Sequence, residues 1–197
     1  MPADTPLSRA LAGADARPTP LDALKVARRR FLAGERVDMS SVADELAVSR
    51  VTLYRWVGNR GALLGEVMGT LAIKSLELED ARIKATGRER IAHLATHIVR
   101  SLMSHPGMQA LLAAEPEFAL RLLTTSEGSV QARIMDWWEQ ALTEEFTAGR
   151  MKSPLPARDI AYLIVRLCES FVYKEVIVGE AADADQAAVL FRMVLPK

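Results

Sequence analysis

The 197-residue sequence has one cysteine and no long apolar run, and these two shortages restrict what the protein can be. Because Cys168 is the only cysteine, an intrachain disulfide framework and a cysteine-based zinc site are both excluded. This composition is typical of a reducing compartment, so we expect a cytoplasmic protein. No stretch reaches the roughly 18 apolar residues of a membrane span. Asp4 and Asp15 interrupt the N-terminal segment, which therefore lacks the apolar region of a signal peptide.

Alternating runs of β-branched residues are also scarce, which argues against β-strands. Half of the residues are hydrophobic and most recur at helical spacing, so the sequence predicts an all-α fold of about nine helices. Residues 1–20, rich in proline, alanine and glycine, form a predicted disordered tail. Three helices follow within 21–63, and the other helices, within 64–197, form a second domain. Thr86 and Glu89 have the spacing of a capping box at the start of one of them.

The formal net charge is zero, but the charges are unevenly distributed along the chain. Residues 1–60 contain ten basic and seven acidic residues, whereas residues 61–197 contain fifteen basic and eighteen acidic ones. A basic excess within one domain is typical of a nucleic-acid interface. The asymmetry is modest, so the assignment depends on the motif found in the same region.

Residues 38–57 have the pattern of a helix-turn-helix. Asp38 and Ser49 are good N-cap residues for two short helices separated by a tight turn. The small Ala43 allows these helices to cross closely, and an apolar wedge joins them, made of Val42, Leu46, Val48 and Leu53. A helix fits the DNA major groove, and the second helix here projects outward Arg50, Val51, Thr52, Tyr54 and Arg55.

This stretch resembles the N-terminal domain of the TetR family of transcriptional regulators. The resemblance is carried by Val42, Ala43, Leu46, Ala47, Val48, Ser49, Thr52, Leu53, Tyr54, Val57, Arg60 and Leu63. Two positions depart from the family pattern. Ala47 replaces the usual turn glycine, which would cost about 1 kcal/mol if its φ is positive. Arg60 replaces a lysine and keeps its positive charge.

The resemblance implies that a homodimer reads a palindromic site on double-stranded DNA. The expected DNA-contacting residues are Ser40, Ser49, Arg50, Val51, Thr52, Tyr54, Arg55 and Arg60. Among them, Tyr54 and Arg60 are implied phosphate anchors. Ser40 lies in the first turn of the preceding helix, where a helix N-terminus favours an anion.

A narrow polar stripe marks the long helix predicted over 157–178. At about 100° per residue, one arc of roughly 60° holds Tyr162, Arg166, Glu169 and Tyr173. The rest of this helix is apolar, so the stripe faces solvent, a cavity or a partner subunit. A solvent-facing Arg166–Glu169 pair would stabilise the helix by only about 0.2–0.5 kcal/mol. In the other interpretation the stripe supplies the polar groups of an effector pocket, completed by Phe118, Trp137 and Trp138.

The helices available to line a pocket are rich in apolar side chains, and Arg166 can neutralise Glu169. We therefore expect a small, largely apolar, uncharged effector. Residues 116–123 and 161–173 are also similar to the effector domain of QsdR-type members of the TetR family, which are associated with control of quorum-sensing lactone degradation. The resemblance adds a lactone as a candidate effector and a repressor as the expected kind of regulator.

The last predicted helix, after Asp183, has a continuous apolar strip. Its members are Val189, Leu190, Met193 and Val194. Together with the helix over 157–178, this strip exposes more apolar surface than a monomer of this length readily hides. We therefore expect a homodimer with two-fold symmetry, in which the domain over 64–197 serves both dimerisation and effector binding.

Motifs for other chemistry are absent from the sequence. His93 and His97 have metal-ligand spacing, but we expect them on a solvated helix face beside Arg90 and Arg100, which would repel a cation. We expect no metal, no cofactor and no catalytic residues. Two alternatives stay open, namely an all-α protein-interaction module and a helical enzyme with an appended DNA-binding unit.

Overall fold

The computed structural model describes residues 17–125 and 129–196, and all regular secondary structure in these ranges is α-helical. Its eleven helices are α1 (Pro20–Leu32), α2 (Met39–Glu45), α3 (Arg50–Val57), α4 (Arg60–Asp80), α5 (Gly87–Ser104), α6 (Pro106–Ala114), α7 (Pro116–Thr124), α8 (Ser129–Thr147), α9 (Ala157–Val172), α10 (Lys174–Val178) and α11 (Ala184–Val194). The predicted all-α class is confirmed, with a larger number of helices than expected. Residues 1–16 of the predicted tail lie outside the described residues.

The helix predicted over 157–178 is interrupted at Tyr173, which ends α9 with φ and ψ of −96° and 1°. The Tyr173 hydroxyl donates a hydrogen bond to the Ala119 carbonyl, 2.8 Å away on α7. The side chain is buried together with this contact, with 2% of its surface exposed. The break therefore coincides with a tertiary contact, and helical spacing alone cannot report such a contact.

The two helices of the helix-turn-helix begin where the sequence predicts. The Ser49 hydroxyl accepts a hydrogen bond from the Thr52 backbone N–H at 3.1 Å and so caps α3. Asp38 caps α2 in the same way. The turn between them contains Ala47 with a φ of 52°, the one non-glycine residue with positive φ in the described ranges. The substitution of alanine for a turn glycine therefore does place a side chain in the left-handed region.

The start of α5 differs from the prediction. Thr86 makes no side-chain capping hydrogen bond, so the predicted Thr86–Glu89 capping box is wrong. Glu89 instead forms an ion pair with Arg192 of α11 at 2.9 Å. The free backbone N–H of Gly87 donates to the carboxylate of Glu145 on α8, 2.8 Å away. The N–H group of Gly87, at the start of α5, is thus satisfied by a side chain from a distant helix.

A first hydrophobic cluster, the proximal core, joins the helix-turn-helix to later helices. Its buried members are Ala23, Val26, Ala27, Phe31, Val37, Met39, Val42, Ala43, Leu53, Leu63, Leu64, Val67, Met68, Met108, Leu111, Ala119, Leu122, Leu123, Val130, Val172 and Tyr173. They come from α1 to α4, from α6 and α7, and from single turns of α8 and α9. The packing around the DNA-binding helices therefore continues without a gap into the C-terminal part of the chain.

A second cluster, the distal core, lies among α4, α5, α8, α9 and α11. Its buried members are Ala72, Leu76, Ile91, Ala92, Leu94, Ala95, Ile98, Val99, Met135, Trp138, Ala141, Leu142, Met151, Ile160, Ala161, Ile164, Val165, Cys168, Phe171, Ala187, Phe191 and Leu195. The first half of α4 contributes to the proximal core and its second half to the distal core. This helix therefore connects the two.

A buried carboxylate closes one end of the distal core. The Glu145 side chain is fully buried and accepts hydrogen bonds from Arg90 at 2.7 Å, Arg150 at 2.6 Å and the Gly87 N–H. Burial alone would raise the pKa of Glu145, but the hydrogen bonds from Arg150, Arg90 and Gly87 outweigh it and lower the pKa to about 2. Arg90 also pairs with Asp80 at 2.6 Å, so the network joins the end of α4 to α5 and α8.

The polar side of α5 is only partly the solvated face that the sequence suggested, since Arg100 is 60% exposed but some other residues are not. The Arg90 side chain is 13% exposed, and His97 is half-buried with its Nε2 2.9 Å from the Ser75 hydroxyl. The expectation was wrong for these two residues because α4 packs against this side of α5. His93, 46% exposed, does reach solvent, and its Nε2 lies 2.7 Å from Glu79. Burial lowers the pKa of His97, so its ring is neutral at neutral pH.

Candidate DNA interface and effector region

The outer face of α3 has the exposure and chemistry of a DNA-reading surface. Val51 is 78% exposed and Tyr54 48% exposed, whereas Leu53 on the opposite face is fully buried. Arg50 and Arg55 are both exposed, and neither forms an ion pair with a residue that the structure describes. The helix therefore presents two cations, a phenol and an apolar side chain on one accessible side.

Ser49 and Thr52 lie at the N-terminal end of the same face. Their hydroxyl oxygens are 2.9 Å apart, and the Ser49 hydroxyl also caps α3. Ser49 is exposed and Thr52 half-buried. These side chains therefore fix where the helix starts, and they remain close to the expected DNA surface.

The N-terminus of α2 already carries a negative charge. One Asp38 carboxylate oxygen accepts the backbone N–H groups of Ser40 and Ser41, each at 3.0 Å, and the other oxygen pairs with the Ser41 hydroxyl. The hydrogen bonds from Ser41 lower the pKa of Asp38. The carboxylate takes the place of the anion expected there, so Ser40 can offer a DNA phosphate only its hydroxyl.

Arg60 lies at the junction of α4 with the α6–α7 turn. Its two terminal nitrogens donate to the Glu115 carboxylate at 2.7 and 2.8 Å, and its Nε donates to the Val37 carbonyl. The guanidinium also lies 4.6 Å from the centroid of the Phe118 ring, and the side chain is only 19% exposed. Arg60, which was expected to contact a DNA phosphate, therefore links the helix-turn-helix to the helices that follow it.

Two polar residues that the sequence did not single out complete these sites. Glu115 also accepts a hydrogen bond from Arg36 at 3.2 Å, and the hydrogen bonds from Arg60 and Arg36 lower its pKa. Gln131 of α8 accepts a hydrogen bond from Arg166 at 2.7 Å. Both contacts join helices far apart in the chain, so periodicity within one helix carries no signal of them.

The predicted polar stripe is only partly assembled. Arg166 lies 2.8 Å from Glu169 and stacks over Tyr162, with its guanidinium carbon 5.2 Å from the ring centroid. Tyr162 is 56% exposed. Burial raises the pKa of Glu169 against the opposing effects of Gln131 and Arg166. The Nε of Arg166 is buried without a hydrogen-bond partner in the described part of the chain.

The other predicted effector residues lie apart from this group. Tyr173 belongs to the proximal core, and Phe118 lies at the junction already described. Trp138 is 1% exposed in the distal core, and the half-buried Trp137 packs edge-on against it with ring centroids 5.0 Å apart. The structure thus brings three of the seven predicted effector residues together and distributes the other four among different contacts.

Two mainly apolar cavities lie elsewhere in the C-terminal part. The larger, about 610 Å³, is bounded by α5, α6, α9 and α10 and is lined by residues such as Leu102, Met103, Leu112, Val172 and Val176. The smaller, about 180 Å³, lies between α1, α4, α5 and α6. None of the seven predicted effector residues lines either of these two cavities.

One face of α9 and α11 is apolar and exposed. All four residues of the predicted strip on α11 are exposed: Val189 by 56%, Leu190 by 40%, Met193 by 74% and Val194 by 41%. On α9, Tyr162 and Leu163 are 56% and 36% exposed. The two helices contact each other, so exposed apolar side chains lie on neighbouring helices.

Neither a membrane span nor a metal cluster is present within 17–125 and 129–196. Cys168 is buried, and its sulfur lies 3.9 Å from the Ala95 carbonyl. Burial raises the pKa of this thiol, which disfavours the reactive thiolate.

Comparisons with known proteins agree with this architecture. Residues 86–196 match the family described as tetracyclin repressor-like, C-terminal domain. No curated protein matches the sequence. Among solved structures, the transcriptional repressor QsdR of R. erythropolis is 30% identical over 90% of this chain and 96% of that chain, with a TM-score of 0.81.

Two further solved structures are similar. The TetR family repressor AlkX of Dietzia sp. strain DQ12-45-1b is 29% identical over 91% of this chain and 95% of that chain, with a TM-score of 0.63. The regulator FadR of Bacillus subtilis, in complex with stearoyl-CoA, is 17% identical over 88% and 96% and shares the fold, with a TM-score of 0.55. The chain therefore belongs to the TetR family, whose members are non-enzymatic, DNA-binding transcriptional repressors with a ligand-binding C-terminal domain.

Proposed function

We propose that this repressor acts in the cytoplasm as a homodimer, binds a palindromic operator through α3 and releases it when a small, largely apolar, uncharged molecule binds. The observation that carries the proposal is the outer face of α3. There Arg50, Val51, Tyr54 and Arg55 are exposed together on a helix whose other side is anchored by the buried Leu53. Such a helix can enter the major groove while the rest of the domain holds it in place.

Operator binding is tested by electrophoretic mobility shift and footprinting with DNA selected from a random library. Arg55→Ala should weaken operator binding at least about fivefold, because a guanidinium that contacts a base is worth about 1–3 kcal/mol. Arg82→Ala, in the turn that follows α4, removes the same charge from an exposed position and serves as the control. An equal effect of both substitutions would mean that α3 does not read DNA.

The dimer is supported by the exposed apolar surface of α9 and α11. A second copy related by two-fold symmetry would cover this surface and would place two α3 helices on one side of the assembly. Sedimentation at micromolar concentration should give about twice the 21.6 kDa chain mass. Met193→Glu should shift the protein toward monomer, whereas Leu78→Glu, at another exposed apolar position on α4, should not. A monomeric wild type would overturn the proposed interface.

The effector class is supported by the cavities, whose walls are mainly apolar. AlkX, one of the similar repressors, is implicated in n-alkane biodegradation, which also points to an apolar ligand. The resemblance to QsdR-type regulators makes lactones the first compounds to test. γ-Lactones and acyl-homoserine lactones should be titrated against the protein–operator complex. Failure of both classes to release DNA would reject the lactone assignment and leave the operator-binding result standing.

A further inference from the structure

The smaller cavity lies at the boundary between the DNA-binding helices and the C-terminal helices. Its volume is about 180 Å³, and its apolar walls come from Phe31 and Leu32 of α1, Met68 and Leu71 of α4, and Ile98 and Leu102 of α5. No charged side chain lines it. A cavity of about 150 Å³ with similar walls can hold benzene, so this one has room for roughly six to eight non-hydrogen atoms.

Two hydroxyl groups supply polarity on one side of the cavity. Ser75 of α4 and Ser101 of α5 both line it, and the Nε2 atom of His97 lies 2.9 Å from the first hydroxyl and 3.4 Å from the second. The other ring nitrogen of His97 lies 3.9 Å from the Glu79 carboxylate, which favours a proton on that nitrogen. Nε2 then accepts from one serine, and the serine oxygens stay available to a ligand.

His105 supplies a further donor. Its Nδ1 accepts a hydrogen bond from the Gly107 N–H at 3.1 Å, which puts the proton of the neutral ring on Nε2. This Nε2–H has no hydrogen-bond partner among the residues described, and His105 lines the cavity. The His105 ring stacks on Phe31, with centroids 4.9 Å apart. The cavity therefore offers neutral donors and acceptors but no counter-charge for an ion.

We propose that this junction cavity binds a small uncharged molecule with an aliphatic or aromatic body and one hydrogen-bonding oxygen. We propose further that the bound molecule lowers operator affinity through direct contact with α1. This regulatory part rests on the proposed operator binding. Phe31 and Leu32 belong to the last turn of α1, and α1 packs against both α2 and α3. A ligand at this position needs no relay through the bundle to reach the helix-turn-helix. It shifts the DNA-binding equilibrium if it binds the DNA-incompetent arrangement better.

Direct binding is measured on the full-length protein without DNA, by ligand-observed NMR with three probes of equal chain length. We expect 1-hexanol to bind at least tenfold more tightly than hexanoate or hexylammonium, because an uncompensated charge in this cavity is strongly disfavoured. A stronger signal from either ion would overturn the assigned ligand class. Absence of 1-hexanol binding would overturn the site.

Substitutions within α5 locate the probe. Ser101→Leu fills the cavity and should abolish 1-hexanol binding, whereas Ser104→Leu, exposed one turn away on the same helix, should leave it unchanged. Ser75→Ala is a second variant, for the case that Ser101→Leu does not fold. It adds no volume to the cavity and removes only a hydroxyl group. It should weaken 1-hexanol about two- to tenfold and leave toluene binding unchanged. Binding that is insensitive to both Ser101→Leu and Ser75→Ala would place the probe elsewhere.

The regulatory part is measured separately by mobility shift. Saturating 1-hexanol should lower operator affinity at least fivefold in wild type and in Ser104→Leu, with no change in Ser101→Leu. If 1-hexanol occupies the cavity without changing operator affinity, the regulatory part is wrong. If the wild type binds no operator at all, the proposed function fails, while the NMR result still decides whether the cavity is a ligand site.

Discussion

The proximal and distal cores bury similar sets of apolar side chains but are held together differently. The distal core lies among the C-terminal helices and is closed by the charged network around Glu145. The proximal core is shared between the helix-turn-helix and the helices that follow. Its closing contacts are a buried hydrogen bond from Tyr173 to the Ala119 carbonyl and the close approach of Gly107 to Phe31. A Cβ at Gly107 would lie 2.0 Å from the Phe31 carbonyl oxygen.

Because of this difference, defects in the two cores should affect stability and DNA binding differently. A defect in the distal core should lower the free energy of unfolding and leave the operator affinity of the folded protein unchanged. A defect in the proximal core should change both quantities, because the same packing positions α1 to α3. Each substitution below is therefore followed by urea unfolding and by operator affinity, the latter under conditions where the protein is folded.

The largest effect is expected from Glu145→Gln in the distal core. The substitution leaves Arg90 and Arg150 without their buried countercharge and should cost about 3–5 kcal/mol of stability. Operator affinity should not change. Glu144→Gln, whose carboxylate is 48% exposed, is the control and should cost less than about 1 kcal/mol. Loss of operator affinity in folded Glu145→Gln would contradict the separation of the two cores.

The same carboxylate predicts a pH dependence of stability in the distal core that Glu145→Gln should remove. The pKa of Glu145 is lowered from 4.5 to about 2, so its contribution is fully present above about pH 4.5 and is lost as the pH falls toward 2. Wild type should therefore lose more stability than Glu145→Gln over this interval in acid titrations of the unfolding free energy. Parallel curves for the two proteins would show that the carboxylate does not titrate as described.

Gly107→Ala should give the largest effect in the proximal core. The added Cβ must push α6 away from the backbone of α1, at a cost of about 1–3 kcal/mol. Since α1 carries the helix-turn-helix, operator affinity should fall as well. Gly69→Ala is the control, because its Cβ would meet nothing closer than 3.7 Å and should stabilise α4 by about 0.5–1 kcal/mol. Unchanged DNA binding in Gly107→Ala would show that the proximal core does not position α3.

Tyr173→Phe is a smaller test of the same core. It removes only the hydroxyl that donates to Ala119 and should cost about 0.5–1.5 kcal/mol, the usual net contribution of one hydrogen bond. A small decrease in operator affinity should accompany the loss. Tyr162→Phe, which changes a phenol that is 56% exposed, should be neutral in unfolding experiments. Equal effects of the two substitutions would mean that the hydrogen bond to Ala119 does not stabilise the fold.

The smallest expected effect is a gain. Ala47→Gly relieves a side chain at a φ of 52° and should stabilise the protein by about 0.5–1 kcal/mol after the greater chain entropy of glycine is included. Ala47 is exposed and lies outside the buried packing, so operator affinity should stay unchanged. A loss of stability would indicate that this turn adopts a different conformation in solution.

The sequence predicts the helix-turn-helix well because its signals are local. The caps at Asp38 and Ser49, the small Ala43 and the positive φ at Ala47 all concern contacts within a few residues. Sequence analysis did not predict structural features that involve contacts between residues far apart in the chain. The break at Tyr173 coincides with a contact to Ala119, and these two residues are 54 positions apart in the chain.

The same limit applies to the candidate sites. Helical periodicity places Arg166 and Glu169 on one face correctly, but it says nothing of Gln131, which joins them from another helix. Arg60 stands where the family pattern puts a basic residue, yet the direction of its side chain is decided by Glu115, 55 positions away. Which cavity forms, and which side chains line it, depends on packing among four helices and has no counterpart in the pattern of any one of them.

The close approach at Gly107 has a mechanical consequence. Side chains packed between two helices can accommodate a small movement of one helix, because they can change rotamer. At Gly107 the backbone of α6 meets the backbone of α1 with no side chain between them, and peptide groups have no rotamers to change. The contact between Gly107 and the Phe31 backbone leaves almost no free space. A movement of α6 toward α1 by more than a few tenths of an ångström must therefore displace α1. A repressor built this way can convert a small strain in one half of the molecule into a reorientation of its reading helix.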